Sequence, residues 1–367
     1  MPFLSVLLAS LLSAAPASGD AWLVGSDQSR DASEAAIFAA RPGERIELAS
    51  IGVLENYAPI LRLSPSGRTL FILRQTVPNH PQGTGEILAL DLKTRALRTI
   101  AAGADADPFL ALSDGTVAYL ETLNSRPQEG DFDHVTLSVT LSADGERREL
   151  ARLDGIYGAA LAGASSIGLI LYVVGLEEAA FYLLPIDETA LSGGLMRIAR
   201  APTGPFAREF AVHGRSLFFS ARSPGDGIHR LYELELPDLD EVLHPERRVS
   251  RRAVPVAVSG IHSPKAVLAR DGSLVHASFG STGSQLVARE APRKALPGGR
   301  PAKAFLQSRG TLTPIALDAP SRALVLRRSF GGSAELLWTS PDGQGGMRRI
   351  PVREFHETAG FTWEVAP

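Results

Sequence analysis

Two aspartates in one short segment are the residues whose chemistry is easiest to name. Asp131 and Asp133 belong to the stretch DFDH, which ends at His134. Side chains alternate along an extended chain, so the two carboxylates would share one side and could ligate a cation. The stretch lacks the glycine-bearing twelve-residue loop of a calcium site. We therefore predict no metal site and keep the two aspartates only as weak candidates.

No other spacing of residues indicates catalysis. Serine, histidine and aspartate are present, but none are spaced as a catalytic triad, a paired-carboxylate site or a phosphate-binding glycine loop. The absence of cysteine excludes thiol catalysis and cysteine-ligated zinc. We predict no catalytic residue and no cofactor, and we favour a protein that is not an enzyme while leaving that question open.

The composition is that of a globular protein. Of the 367 residues, 44% are hydrophobic and 21% are charged, which is enough apolar material for a substantial core. The net charge is −3 and no dense run of lysine and arginine occurs. A nucleic-acid partner is therefore not expected.

The N-terminus has features of a secretory signal. An apolar run from Phe3 to Ala15 is followed by the small residues of the segment APASG, and the run is too short to span a bilayer. No lysine or arginine precedes it, and the alternative is an ordinary buried element. We predict a signal peptide at residues 1–19 and a periplasmic or secreted mature chain without a transmembrane segment.

A hairpin pattern recurs along the rest of the chain. The stretch YAPILRLSPSGRTLFILRQT reads as strand, turn and strand, and similar stretches follow with a period of about 50 residues, which is typical of repeat folds. Each copy continues with a second hairpin, such as GEILALDLKTRALRTIA. The copies start near Pro59, Pro108, Gly158, Ala207, Pro264 and Pro314.

Four short strands per repeat predict the blade of a β-propeller. The second strands, such as TLFIL and GLILYVV, are apolar on both faces, as packing between two neighbouring sheets requires. In the fourth copy, the longer segment LPDLDEVLHPERR predicts a short helix capped by Asp238 or, alternatively, an elongated turn.

The two ends of the chain predict a shared blade. Residues 21–50 match the last three strands of a blade, and the C-terminal ETAGFTWEVAP matches a first strand at residues 360–367. A circular array must hide its sheet edges, and a blade built from both termini does so. We predict an all-β fold of seven four-stranded antiparallel blades in a single domain at residues 20–367, with six blades as the alternative.

The turns SPSG, SDG, RDGS and SPDG, together with the FSAR that follows a strand, resemble those of TolB-like, WD-repeat-like β-propellers. The repeats are degenerate, because leucine replaces the tryptophan that precedes the turn at Leu63, Leu112 and Leu268. The resemblance implies the propeller fold and not a particular TolB role. Similar propellers form the gating domain of prolyl oligopeptidases, but this sequence has no G-x-S-x-G nucleophile elbow.

A propeller gathers half of its connections on one face, where binding sites are most often found. The residues that lead into the first strand of each repeat are aromatic and polar, and we predict that they surround the channel mouth and bind a partner. The alternative for them is ordinary packing. They are Tyr57, Asp107, Tyr157, Phe206, His262 and Thr313.

The sequence therefore favours an exported, non-enzymatic propeller scaffold that binds a protein or peptide partner through its loop-rich face. We expect it to be a monomer. The alternative is a propeller enzyme or small-ligand sensor with a site in the central channel.

Overall fold

The protein forms seven four-stranded antiparallel sheets arranged as a β-propeller, as seen in a computed structural model. Each sheet is one blade, and the seven-blade prediction is confirmed. The structure describes residues 21–28, 33–54, 57–76, 85–104, 109–126, 134–175, 177–186, 194–202, 207–223, 225–247, 249–260, 266–268, 274–280, 283–289, 303–308, 311–318, 323–330, 333–339, 347–351 and 355–362.

Six blades are each formed by four strands that are consecutive in the chain, in the order inner to outer. Blade 1 contains β4 (Ile60–Leu63), β5 (Thr69–Gln75), β6 (Gly85–Asp91) and β7 (Leu97–Ala104). Blade 2 contains β8 (Leu110–Ala111), β9 (Thr116–Arg126), β10 (His134–Ala143) and β11 (Glu146–Ile156). Blade 3 contains β12 (Gly158–Ser165), β13 (Gly168–Val174), β14 (Ala179–Pro185) and β15 (Met196–Arg200). Blade 4 contains β16 (Arg208–His213), β17 (Ser216–Arg222), β18 (His229–Glu235) and β19 (Val254–Gly260). Blade 5 contains β20 (Ala266–Leu268), β21 (Leu274–Gly280), β22 (Gly283–Arg289) and β23 (Lys303–Ser308). Blade 6 contains β24 (Thr311–Asp318), β25 (Ala323–Phe330), β26 (Ser333–Thr339) and β27 (Arg348–Arg349).

Blade 7 is shared between the two ends of the chain. Its outer strands are β1 (Trp22–Asp27), β2 (Glu34–Arg41) and β3 (Glu44–Gly52), and its inner strand is β28 (Phe355–Thr362). The inner strand begins at Phe355 rather than at Gly360. Residues 363–367, including Trp363, lie outside the described part of the chain.

The inner strands form a closed ring. Every first strand lies beside the first strands of both neighbouring blades, including β28 between β24 and β4. A closed ring leaves no blade with an unpacked face, which removes the edge that an open array would present. This closure is the reason that the six-blade alternative does not apply.

The core is divided among the seven interfaces between blades. One apolar cluster joins each pair of neighbours, and the second strand of each blade contributes to the clusters on both of its sides. Phe181 of β14 and Phe219 of β17, for example, meet between blades 3 and 4 with ring centroids 4.7 Å apart. Such a pair adds about 1 kcal/mol beyond its buried area. The doubly apolar pattern of the second strands is explained by this packing.

The long third connection of blade 4 contains the predicted helix, α1 (Leu239–Leu243), followed by a 3₁₀ turn at Pro245–Arg247. Asp238 caps the helix through the Glu241 N–H at 3.0 Å. The Glu241 carboxylate in turn accepts the Asp238 N–H at 3.1 Å. This reciprocal capping box fixes the entry of the helix and confirms the Asp238 cap.

Candidate functional site

The strand order divides the connections between two faces of the ring. We call the loop face the one that carries the second connection within each blade and the links between blades, and it includes Tyr57, Tyr157 and Asp226. The opposite turn face carries the first and third connections and includes Asp144. Binding residues occur preferentially on connections held by a rigid scaffold, and the loop face carries every link between blades, which makes it the favoured position for a site.

The predicted channel-mouth residues have different surroundings. Tyr57 is half-buried in the link from blade 7 to blade 1, and its N–H donates to the Leu54 carbonyl at 3.0 Å. Thr313 lies inside β24, paired with Arg327, and not in the link before that strand. Three other channel-mouth residues lie outside the described part of the chain, namely Asp107, Phe206 and His262. The two weak metal candidates, Asp131 and Asp133, also lie outside it.

Tyr157 is the exposed aromatic residue of this group. It forms the whole link between β11 and β12, and its N–H donates to the Val174 carbonyl of blade 3 at 2.9 Å. The side chain is 37% exposed. The ring of His134, the first residue of β10, packs against it with centroids 5.1 Å apart. Backbone and ring contacts therefore hold an exposed aromatic side chain at a fixed place on the loop face.

A pocket of about 350 Å³ lies where blades 2 and 3 meet, and Ile156, the residue before Tyr157 in the chain, is part of its lining. Its floor contains Ile156 and Val173, which are nearly buried. Two of its lining residues are joined by a backbone hydrogen bond, in which the Gly175 N–H donates to the Glu178 carbonyl at 2.8 Å. We call it the blade 2–3 pocket, and it is lined by Ile156, Val173, Gly175, Glu177, Glu178 and Tyr182.

The two glutamates that line the blade 2–3 pocket differ in their ion pairs. The Glu178 carboxylate accepts ion pairs from Arg197 at 2.7 Å and from Arg200 at 3.4 Å, both on the outer strand of blade 3. Glu177 is exposed and has no ion pair with another described residue. The pocket therefore combines apolar walls, an aromatic ring and one carboxylate that faces solvent.

Ion pairs also stabilise other connections of the loop face. In blade 4, hydrogen bonds from the Arg230 guanidinium and from the Ile228 N–H hold the pKa of Asp226 far below its usual range. The Arg222 side chain donates to the Gly227 carbonyl of the same connection at 3.0 Å. These hydrogen bonds hold residues Asp226 to Ile228 of that connection against the ends of β17 and β18.

Glu209, on the inner strand β16 of blade 4, has a strained backbone conformation. Its φ of +56° is in the left-handed region, and the pairing of β16 with β17 shifts register at this point. A non-glycine residue in that region costs about 1–2 kcal/mol. The side chain is exposed, and the residue lies on β16, the inner strand of blade 4. No pattern in the sequence signals the bulge at this position.

In the part of the chain that the structure describes, no group of three or more His, Asp or Glu side chains is arranged so that it could hold a metal ion. The Arg62 side chain, on the inner strand β4, donates to the carbonyl of Leu61 at 2.8 Å.

Among the residues that the structure describes, no helix is long and apolar enough to cross a membrane.

Comparisons with known proteins identify the fold. A scan against protein-family models and a search of curated protein sequences found no match. Among solved structures, a prolyl endopeptidase is 13% identical with a TM-score of 0.56, over 96% of this chain and 53% of that one. A putative 6-phosphogluconolactonase from Bacteroides fragilis is 10% identical with a TM-score of 0.53, over 95% of this chain and 99% of that one.

The chain spans about half the length of the peptidases that it matches. The Pyrococcus horikoshii acylaminoacyl peptidase is 12% identical with a TM-score of 0.52, and the match covers 91% of this chain and 53% of that protein. TolB from Acinetobacter baumannii also matches at 12% identity, over 92% of this chain and 82% of that one, but its TM-score of 0.44 adds nothing to the other matches. At these identities the likeness extends to the fold alone, and the fold is a β-propeller.

Proposed function

We propose that this protein is an exported, non-enzymatic β-propeller that binds a protein or peptide partner through its loop face, in the periplasm or outside the cell. The observation that supports it is the pairing of an exposed, positionally fixed Tyr157 with the adjacent blade 2–3 pocket. Aromatic anchors beside a pocket are the usual centres of protein interfaces. The signal-like residues 1–19 support export.

Partner capture with a single variant tests the binding proposal. The purified mature chain, immobilised and exposed to periplasmic extract, should retain a partner that Tyr157→Ala retains at least about tenfold less, since anchor residues contribute about 1–2 kcal/mol or more. The matched control is Leu97→Ala, because Leu97 is 44% exposed at the turn face. Equal retention by the two variants would refute a role for the loop face.

Export has its own test. Mass spectrometry of the protein from a periplasmic or culture fraction should give an N-terminus near Asp20. A chain that retains Met1 and stays in the cytosolic fraction would contradict this part of the proposal.

A second candidate function, a small-ligand sensor or enzyme that uses the central channel, is favoured by Glu209. Backbone strain persists where the surrounding structure maintains it, and it often coincides with a functional site. A thermal-shift screen of small metabolites would detect such a ligand, and Glu209→Gly should remove the shift while relieving the strain. The absence of any ligand that depends on Glu209 would leave loop-face binding as the function.

A further inference from the structure

The shape of the blade 2–3 pocket suits a long side chain with a polar end. Ile156 and Val173 are 8% and 7% exposed and form an apolar floor, while Tyr182 adds an aromatic wall. The rim at Gly175, Glu177 and Glu178 is polar and open to solvent. Side chains that bury methylene groups and keep a polar end in water match such a gradient.

The charges decide which polar end would fit. Both charged residues that line the pocket are glutamates. Arg197 and Arg200, which neutralise Glu178, lie outside the lining on β15. Glu177 keeps its carboxylate at the rim, and its sign favours a cation and repels an anion.

We propose that the blade 2–3 pocket binds a cationic side chain, arginine or lysine, of the peptide or protein partner. The methylene stem packs on Ile156 and Val173, and the cationic end lies at Glu177 beside the Tyr182 ring. Arginine should bind more tightly than lysine, because its planar guanidinium both stacks on an aromatic ring and pairs with a carboxylate in two places. This inference rests on the proposed function and deepens it.

Two small probes that differ only in charge test the pocket on the full chain. N-acetyl-arginine amide should bind saturably by NMR titration, with a dissociation constant on the order of 1–10 mM, as expected for a ligand worth about 3–4 kcal/mol. N-acetyl-citrulline amide has nearly the same shape without the charge, and it should bind at least about tenfold more weakly, a difference of about 1.4 kcal/mol. Raising the salt concentration should weaken only the arginine probe.

Variants assign the binding to this pocket. Glu177→Gln should weaken the arginine probe at least about threefold and leave the citrulline probe unchanged, since it removes charge but little volume. Glu47→Gln is the matched control, because Glu47 is an exposed glutamate on β3 of blade 7. Unchanged melting temperatures would show that both variants are folded.

Equal affinity for the two probes, no saturable binding of the arginine probe, or no effect of Glu177→Gln would each overturn the cation proposal. Those results leave loop-face binding intact if Tyr157→Ala still abolishes partner capture. Conversely, the arginine probe could bind selectively while Tyr157→Ala captures the partner as well as the parent chain does. That result would support the cation proposal and refute the proposed function. The two claims can therefore fail separately.

Discussion

Trp22 and Thr362 lie directly opposite each other on β1 and β28, although they come from the two ends of the chain. The pairing continues through Leu23 with Phe361 and Val24 with Gly360. These contacts close the ring of blades, so the C-terminal strand is an integral part of the propeller.

Removal of residues 355–367 should therefore destabilise the whole protein. The deletion unpairs the inner edge of β1 and exposes the inner ends of blades 6 and 1, where β28 lies between β24 and β4. The lost ladder hydrogen bonds alone are worth about 1 kcal/mol each, so the loss should reach several kcal/mol. Urea unfolding followed by circular dichroism measures it, and light scattering should detect association through the open edge. A truncated chain that stays monomeric and keeps its midpoint would contradict closure by β28.

A second prediction concerns the close approach of Gly163 and Val212 on the inner strands of blades 3 and 4. A Cβ added at Gly163 would lie 2.4 Å from Cγ2 of Val212. Valine has little rotamer freedom to move away, and the φ of +157° at Gly163 is one that L side chains rarely adopt. Gly163→Ala should therefore cost about 1–3 kcal/mol of unfolding free energy, part of it from the backbone and part from the contact with Val212.

Gly158→Ala is the matched control in the same strand, because a Cβ there would meet nothing within 4 Å. Adding Val212→Ala to Gly163→Ala should recover part of the loss, which a double-mutant cycle of unfolding free energies would measure. Two results would contradict the contact between Gly163 and Val212. One is a double variant that recovers none of the lost unfolding free energy, and the other is an equal loss in Gly158→Ala.

The architecture was predictable because each blade repeats one local pattern. The second strand of each blade packs between two neighbouring sheets and is therefore apolar on both faces. A segment such as GLILYVV shows this pattern in the sequence alone. The closing strand was predictable only in kind. Its start lies at Phe355 and not at the predicted Gly360, because pairing with β1 sets that start and the segment alone does not show the pairing.

The site was less predictable, because it depends on contacts between blades. Tyr157 was identified from its position before a first strand, but the pocket beside it joins Ile156 of blade 2 to Tyr182 of blade 3. Those two residues come together only through the angle at which the blades pack. No periodicity in the sequence encodes that angle, and none indicates the bulge at Glu209.

A third prediction concerns stability at acid pH, and it depends on Glu241 in the long third connection of blade 4. Burial alone would raise the pKa of Glu241, but the Asp238 N–H and the Arg251 guanidinium outweigh burial and lower it. The Glu241 and Arg251 side chains are each 10% exposed and form an ion pair. A carboxyl whose pKa is lower in the folded chain stabilises the fold above its unfolded pKa of about 4.3, and this stabilisation fades as the pH falls through the folded value.

Glu241→Gln should therefore be less stable than the parent chain at pH 7, and the difference should shrink below about pH 4. Unfolding free energies measured between pH 3 and pH 7 by urea titration give the profile. The exposed Glu47→Gln should follow the parent curve at every pH. A pH-independent difference for Glu241→Gln would show that the ion pair with Arg251 does not act through the charge of Glu241.

Photo-crosslinking at position 157 tests directly whether a partner binds at the loop face. A benzophenone amino acid placed at position 157 of the exported full chain should give one discrete crosslinked adduct with a protein or peptide in living cells. The same amino acid at position 97, on the exposed turn-face residue Leu97, should give none. If the partner binds at the loop face, an adduct forms at position 157 alone. Adducts of equal yield at both positions, or only at position 97, would contradict binding through the loop face.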